Sequence, residues 1–292
     1  MSVDEYAQAR PAGPLRPFVA FYSGYRQAGV APGRHRGLPS PYLTLIFTLD
    51  DPLDVAAHPD PRQPPGRYDA LIGGLHLTPA LITHPGRQSG VQVSLRPLGC
   101  RALFGVPAAE LAFADLQAAD VLGARLVDEV RDRLRSAADW PSRFAALDGV
   151  LLRHLRADGF EAAPEIVYAC RRLLDEPAGC GAPAPGRRGA GPQIAVPSSV
   201  AVVAAEVGWS ARYLTDRFRA EVGLRPKQAA RVARFDRARR QLNPATRLAD
   251  LAAAHGFSDQ SHLVREFHAF AGCTPTGWLA DELSLIASRP EA

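Results

Sequence analysis

The stretch HGFSDQSHLVREFHAFAGCTP, residues 255–275, places a glycine, an aromatic residue and a polar segment before an apolar and charged helical pattern. Glycine can adopt the positive φ that a tight turn requires, and serine is a preferred cap at the start of a helix. Leu263, Phe267 and Phe270 recur at the spacing of one helical face. The stretch therefore predicts a turn followed by an amphipathic helix with a polar outer face.

A second copy of this pattern lies upstream, in VAAEVGWSARYLTDRFRAEVGLRP, residues 203–226. Each copy indicates a short apolar helix, a glycine turn, an aromatic plug and a serine that caps a second helix, which is a helix-turn-helix unit. A single αα-hairpin in a helical bundle has the same features, so the repetition is what favours DNA binding. The matched residues are Gly208 with Gly256, Trp209 with Phe257, Ser210 with Ser258 and, after one inserted residue, Leu214 with Leu263 and Phe218 with Phe267.

The segment between the two units, PKQAARVARFDRARRQL, predicts one long helix with an apolar inner side (Val232, Phe235, Ala238 and Leu242). A stiff helix of this kind would hold two reading helices about one DNA turn, ~34 Å, apart. Residues 206–247 carry eleven basic and four acidic side chains, a net charge of +7, whereas the whole chain carries +4. This concentration of charge indicates a polyanion partner, although a solvated helix face is the common alternative.

The rest of the chain reads as a separate unit, because 292 residues exceed the usual size of one domain. Short apolar runs between residues 18 and 95 predict a small antiparallel β domain, and helical periodicity follows over residues 100–155. The expected fold class is α+β: a β-rich N-terminal domain with trailing helices, then an all-α domain with two helix-turn-helix units joined by a linker helix. The expected domains are 1–160 and 161–292, with a flexible Gly/Pro/Ala-rich insertion at 177–197 inside the second.

The C-terminal residues resemble the paired helix-turn-helix domain of the AraC/XylS family of bacterial transcription regulators. The resemblance rests on GFSDQSHLVREFHAFAGCTP for the second unit, RFDRARRQL for the linker helix and APEIVYACRRLLDE for the first helix of the domain. LRPFVAFYSGYR, HRGLPSPYLTLIF and ALFGVPAAEL are similar to a β-rich sensor domain found in a subset of these regulators. The resemblance implies a DNA-binding transcription regulator whose N-terminal domain senses an effector or dimerises.

The predicted contacts with DNA follow from the outward faces of the two reading helices. Base contacts are predicted for Gln260, Ser261, Val264 and Arg265 in the second unit and for Arg212, Thr215 and Asp216 in the first. Arg265 is the strongest candidate, since arginine can donate two hydrogen bonds to guanine. An ion pair of Arg265 with Glu266 or Asp259 is the alternative. Asp216 either accepts from cytosine or pairs with Arg212, and the pairing is preferred.

Phosphate contacts are predicted for Arg219, Arg225, Lys227 and Thr274, which position a protein without specifying sequence. Tyr25, His35, Arg36 and His76 are candidate residues of an effector pocket, although an ordinary core or surface position is the common fate of such residues. The histidines of the β half have no metal-type spacing, and no catalytic motif occurs. We therefore expect no metal, no cofactor and no enzymatic activity.

Double-stranded DNA is the expected partner, and RNA polymerase and a small-molecule effector are further candidates. A monomer or a homodimer is expected. The N-terminal residues lack a signal pattern and no apolar run has membrane-spanning length, so the expected location is the cytoplasm, with no membrane partner. Two alternatives stay open. One is a small-molecule-binding protein that signals through a protein partner, and the other is an enzyme acting through its N-terminal domain.

Overall fold

The computed structural model describes residues 3–155, 162–174 and 199–287, which form ten strands and eleven α-helices. The strands are β1 (Val3–Ala9), β2 (Val19–Ala28), β3 (Gly33–Gly37), β4 (Leu43–Thr48), β5 (Leu53–Ala57), β6 (Gly66–Tyr68), β7 (Ala70–Gly73), β8 (Ala80–His84), β9 (Arg87–Leu95) and β10 (Asp115–Gln117). The helices are α1 (Pro97–Phe104), α2 (Ala118–Leu122), α3 (Ala124–Ser136), α4 (Trp140–His154), α5 (Pro164–Leu173), α6 (Val200–Glu206), α7 (Ala211–Val222), α8 (Pro226–Gln241), α9 (Leu248–Ala254), α10 (Gln260–Ala271) and α11 (Pro275–Ala287). The predicted insertion at 177–197 and the predicted domain boundary after residue 160 lie outside the described residues.

The strands form two antiparallel sheets, one in the order β1-β2-β9-β4-β7-β10 and the other in the order β3-β8-β5-β6. The central strand β4 shows why the layers stack as they do, because alternate side chains of a strand point to opposite faces. Leu43, Leu45 and Phe47 join the main core on one side, whereas Ile46 joins a smaller apolar cluster with residues of the second sheet. Both faces of the first sheet are therefore covered along β4.

The β domain begins earlier than predicted, because β1 precedes the expected first strand at Phe18. Most side chains of β1 are exposed, so this strand lacks the apolar signal on which the prediction relied. Strand β3, with the sequence GRHRG, is mostly half-buried but has no apolar side chain, so it also lacks this signal. The predicted fold class is nevertheless confirmed: a β-rich N-terminal region is followed by a helical C-terminal region.

The trailing helices cover the main sheet. Helix α3 buries Val127, Val130 and Leu134, which share one face at helical spacing. Helix α4 begins at its cap Asp139, whose carboxylate accepts the backbone N–H of Ser142 at 2.8 Å. These helices close the N-terminal part of the core.

The C-terminal helices surround α8, whose predicted apolar side is confirmed. Val232, Phe235 and Ala238 are fully buried. Phe235 contacts Phe267 and Phe270 of α10, with ring centroids 5.1 Å apart in each pair. Helix α8 is thus the central strut to which the second unit is fixed.

Two polar contacts join the helical part to the β part. Arg101 of α1 donates two hydrogen bonds of 3.0 Å to Glu221 near the end of α7. Arg36 of β3 pairs with Asp281 of α11 at 2.6 Å.

Gly223 ends α7 with a φ of 90°, and a Cβ there would lie 2.6 Å from the Cβ of Ala112. Glycine at this position therefore permits the close approach of α7 to the β part.

Candidate nucleic-acid interface and junction cavity

The second unit is formed by α9, a tight turn and α10. Gly256 has a φ of 70°, as the predicted turn requires, and Phe257 is buried behind it. The cap of α10 is Asp259, not Ser258: Asp259 Oδ1 accepts the backbone N–H of His262 at 2.6 Å. The residue inserted in this copy moves the cap by one position. Within this unit the predicted serine cap is therefore wrong.

The outward face of α10 is polar and accessible. Leu263, Phe267 and Phe270 are buried as predicted. The opposite face leaves Gln260, Ser261 and Arg265 exposed and Val264 half-buried. The four residues predicted for base contact in this unit thus lie outside the core.

Arg265 does not form either of the two ion pairs that the sequence suggested as alternatives, with Glu266 or with Asp259. Among the described residues, no salt bridge joins Arg265 to Asp259 or Glu266, because Glu266 is engaged by Arg231 and Arg234. The hydrogen bond from the backbone of His262 is the largest cause that lowers the pKa of Asp259, and the charge of Arg265 adds to it. The guanidinium of Arg265 therefore keeps its donors for another partner.

The first unit repeats this arrangement with α6 and α7. Gly208 has a φ of 71°, and Ser210 caps α7 by accepting the backbone N–H of Tyr213 at 3.2 Å, as predicted. Leu214 and Phe218 are fully buried. The outward face leaves Arg212, Asp216 and Arg219 exposed and Thr215 half-buried.

Two polar side chains of α7 differ from expectation. The preferred pairing of Asp216 with Arg212 is absent from the described part of the chain, where no hydrogen bond or salt bridge joins the two residues. The hydroxyl of Thr215 donates to the backbone oxygen of Ala211 at 2.7 Å, so its hydrogen is used within the helix. Asp216 therefore keeps its acceptors available on the exposed face.

The residues predicted to contact phosphate lie mainly at helix N-termini. Arg225 and Lys227 flank Pro226 at the start of α8, and both are exposed. Thr274 precedes α11, and its hydroxyl oxygen accepts the backbone N–H of Gly277 at 3.1 Å. The backbone dipoles make such helix ends favourable for anions. Arg219 is exposed on α7.

Much of the positive charge on α8 is neutralised inside the protein. Arg231 and Arg234 pair with Glu266, at 2.6 and 3.5 Å. The buried carboxylate of Asp236 accepts from Arg239 at 2.7 Å and from Arg240 at 2.8 Å. Asp236 is already counted in the net charge of +7 for residues 206–247, whereas Glu266 lies outside that range, so the +7 overstates the charge presented to a partner by one. A count of charged residues along the sequence does not reveal this pairing, because the count ignores which side chains face each other.

A cavity of about 590 Å³ lies where the β part meets α8 and α11. Its lining includes all four residues predicted for an effector pocket, namely Tyr25, His35, Arg36 and His76. It also includes five residues that the sequence did not single out: Phe21, Tyr42, Arg239, Arg240 and Trp278. No sequence pattern links the two groups, since they come from distant segments that only the fold brings together.

Two residues of the cavity lining carry buried N–H donors without partners. The Nε of Arg239 and the Nε1 of Trp278 are buried and have no hydrogen-bond partner among the described residues. Arg240 stacks over Phe21 with its Cζ 5.2 Å from the ring centroid. Burial, with a contribution from His84, lowers the pKa of His35 from 6.5 to about 4. The cavity thus combines aromatic walls with a neutral imidazole, and two of its lining side chains each carry a covered N–H group without a partner.

Among the described residues, no group of three or more His, Cys, Asp or Glu side chains is arranged to hold a metal ion. None of the helices in those residues has the length and apolar character that crossing a membrane requires.

Comparison with protein families gives two matches. The model of a helix-turn-helix domain matches residues 203–281, which span both units. The C-terminal domain is a helix-turn-helix domain of the AraC type. A domain of unknown function, DUF6597, matches residues 7–117, which cover the β part upstream of the AraC-type domain. Comparison with curated proteins gives no match.

The chain is also similar to solved structures. An apo form of a ToxT point variant from Vibrio cholerae strain SCE256 is 8% identical, with a TM-score of 0.51, 89% of this chain covered and 96% of that chain. ToxT from Vibrio cholerae O395 is 10% identical, with a TM-score of 0.48 and coverage of 91% and 98%. A DNA-binding transcriptional dual regulator from Escherichia coli K-12 is 23% identical, with a TM-score of 0.28 and coverage of 31% and 82%.

The match to an AraC-type helix-turn-helix domain supports a DNA-binding transcription regulator. The outward faces of α7 and α10, one from each helix-turn-helix unit, lie outside the core. The resemblance stated from the sequence is therefore confirmed.

Proposed function

We propose that the protein binds a specific duplex DNA sequence through α7 and α10, and that a small molecule in the junction cavity controls this binding. The observation that carries the proposal is the exposed polar face of α10. Its central arginine, Arg265, has no salt bridge within the described residues, although Asp259 and Glu266 are close in sequence. An unpaired guanidinium on a recognition helix is suited to bidentate contact with a guanine.

The residues of α10 suit direct reading of base edges in the major groove. Arg265 offers two donors to guanine O6 and N7, which discriminates by about 1–3 kcal/mol. Gln260 can donate to and accept from adenine, and Val264 can contact a thymine methyl group. Ser261 can either donate or accept. This helix is the main source of sequence choice in our proposal.

Helix α7 plays a second reading role. Arg212 has an exposed guanidinium, and Asp216, which lacks the expected partner, has acceptors for the amino group of cytosine. Thr215 presents its methyl group and an acceptor, because its hydrogen is donated to Ala211. We propose that this helix adds base contacts at the neighbouring groove.

Phosphate contacts orient the two units on the duplex. Arg219, Arg225, Lys227 and Thr274 form this set in our proposal. Three of them lie at the N-termini of α8 and α11, where backbone N–H groups also favour phosphate. Because α8 connects both units, one chain can address two successive major grooves about 34 Å apart, and a homodimer would extend the site.

The junction cavity suits an organic molecule with an acceptor group and an aromatic or aliphatic body. We propose that the N–H groups of Arg239 Nε and Trp278 Nε1, which are covered and unpaired in this structure, turn toward the acceptor when a ligand fills the cavity. The aromatic rings of Phe21 and Tyr42 supply an apolar wall. Buried donors without partners are costly, so a ligand that satisfies them gains affinity. Because α8 lines the cavity and also carries the second unit, such a ligand contacts the element that positions α10.

The DNA part is tested with duplexes selected by the full chain from random and genomic fragments. We expect the Arg265→Ala variant to lose about 1–3 kcal/mol of specific binding while its binding to random duplex changes little. Lys227→Ala should weaken both and reduce the slope of log K against log salt by about 0.9. Arg62→Ala, an exposed arginine of the β part, is the control. Equal losses at specific and random duplex for Arg265→Ala contradict its reading role.

The effector part is tested by thermal shift across organic acids and their neutral analogues. A compound that fills the cavity should raise the unfolding temperature of the wild type. The Trp278→Phe variant keeps an aromatic ring but lacks the N–H, so the rise should shrink. A rise that is equal in both proteins argues against binding through this donor.

A further inference from the structure

The third residue of α10, His262, is held from two sides. Its ring packs edge-on against Phe257, with centroids 5.4 Å apart and planes at 85°. The backbone N–H of Ser258 donates to its Nδ1 at 3.2 Å. Its own backbone N–H donates to the cap Asp259. The imidazole therefore has a defined position at the N-terminal end of the recognition helix.

These contacts also decide which ring nitrogen carries the proton. A backbone N–H can only donate, so the contact of the Ser258 N–H with Nδ1 of His262 requires this ring nitrogen to accept. The Ser258 hydroxyl lies 3.1 Å from the same Nδ1 and 3.1 Å from Asp259 Oδ2, and it can donate to either atom, which is compatible with an accepting Nδ1. In a neutral imidazole the proton then resides on Nε2, which becomes a donor. Among the described residues Nε2 has no hydrogen-bond partner, and it is not among the buried atoms that lack one. The structure thus presents a fixed and accessible N–H donor.

The position of His262 suits a contact with bases. It lies three residues before Arg265, and residues at this spacing share one side of a helix. In helix-turn-helix proteins the N-terminal residues of the recognition helix contact base edges. The first unit repeats the bracing, because Tyr213 packs edge-on against Trp209 with centroids 4.8 Å apart. Both units therefore hold the ring of this residue against the aromatic plug.

We infer that His262 is a further specificity-determining residue, whose Nε2–H donates to the N7 atom of a purine beside the base contacted by Arg265. The inference rests on the proposed binding of duplex DNA. Guanine and adenine both present N7 as an acceptor in the major groove, whereas cytosine presents only an amino donor. The expected signature is a preference for either purine over cytosine at one position of the site.

The test removes the acceptor from DNA and leaves the protein unchanged. Each purine of the selected duplex is replaced singly by its 7-deaza analogue, and binding by the full chain is measured. Loss of one hydrogen bond should weaken binding roughly two- to tenfold at the position that His262 contacts. Arg265 and Gln260 also contact N7 atoms in our proposal. At the purine that His262 contacts, the 7-deaza substitution should still weaken binding by the Arg265→Ala and Gln260→Ala variants. It should no longer weaken binding by the His262→Ala variant.

Two matched variants separate base reading from a structural role. His268→Ala removes an exposed histidine from the last turn of α10 and should leave the base preferences unchanged. His262→Gln places an amide donor near the position of Nε2 and should keep the purine preference. The inference is overturned if His262→Ala selects the same sequence with the same 7-deaza profile as the wild type.

Two further outcomes are decisive even when His262→Ala does not fold. The inference is overturned if every 7-deaza substitution that weakens binding by the wild type loses its effect in Arg265→Ala or in Gln260→Ala. A wild type that binds all duplexes equally contradicts the proposed function itself, and the inference fails with it. In the first outcome the wild type still selects a specific DNA sequence, and in the second it selects none. The two failures are therefore distinguishable.

Discussion

The carboxylate of Glu266 fixes α10 to α8, and its removal should destabilise the C-terminal domain. Glu266 is 8% exposed and accepts hydrogen bonds of 2.6 and 3.0 Å from Arg231, with Arg234 at 3.5 Å. Burial raises its pKa, but the hydrogen bonds from Arg231 and the charges of both arginines outweigh this effect, and the pKa is lowered. Breaking a buried pair costs about 3–5 kcal/mol. Because the Arg231 side chain is 38% exposed and can be solvated, we expect about 2 kcal/mol for Glu266→Gln.

The assay is urea unfolding of the full chain followed by circular dichroism at the helix band. A loss of about 2 kcal/mol should move the midpoint of the helical transition by about 1 M urea. The matched control is Glu206→Gln, which removes an exposed pair with Arg172 and should move the midpoint much less than Glu266→Gln. Equal midpoints for Glu266→Gln and Glu206→Gln would refute the bracing role. Since the pKa of Glu266 is lowered, its stabilisation should be present above pH ~4.5 and lost as the pH falls through the folded value.

Three further predictions concern local features. The pKa of His35 is lowered from 6.5 to about 4, so stability should rise with pH between these values, and pH-dependent unfolding of His35→Gln should show a smaller rise. Gly223→Ala should lower the unfolding temperature more than Gly208→Ala does in thermal melts. Both glycines have positive φ, but only at Gly223 would the new Cβ contact Ala112. Equal decreases in the unfolding temperature would show that this contact is unimportant. Asp259→Ala removes the cap of α10 and should lower the midpoint of urea unfolding, and an unchanged midpoint would contradict the capping role.

The helix-turn-helix units were predictable because their signals are local. A glycine with positive φ, a buried aromatic plug and apolar residues four apart are requirements of a turn and of a packed helix, and each is visible in a short window. The repetition of these signals at Gly208 and Gly256 then identified the architecture. For the same reason the outward residues of α7 and α10 were placed correctly outside the core.

The errors arose where the deciding contact is between distant residues or depends on one inserted residue. The cap of α10 moved to Asp259 because the second copy is longer by one residue in the turn. Strand β1 shows no apolar alternation, since its pairing with β2 is made by backbone groups and its side chains are mostly exposed. The lining of the junction cavity combines Arg36 with Arg239 and Trp278, which lie far from it in the sequence. No window of the sequence contains this information.

The basic composition of α8 predicted a DNA partner, but the physical reason for that prediction was incomplete. Its arginines suggested affinity for DNA, but Arg231 and Arg234 hold α10 through Glu266. One turn further along, Asp236 holds Arg239 and Arg240 at the wall of the cavity. The same helix therefore fixes the recognition helix at one end and lines the proposed effector site at the other. Because these charge-assisted hydrogen bonds are directional and a packed helix is stiff, we propose that a ligand that displaces Arg239 or Arg240 acts on the support of α10 without touching its exposed face.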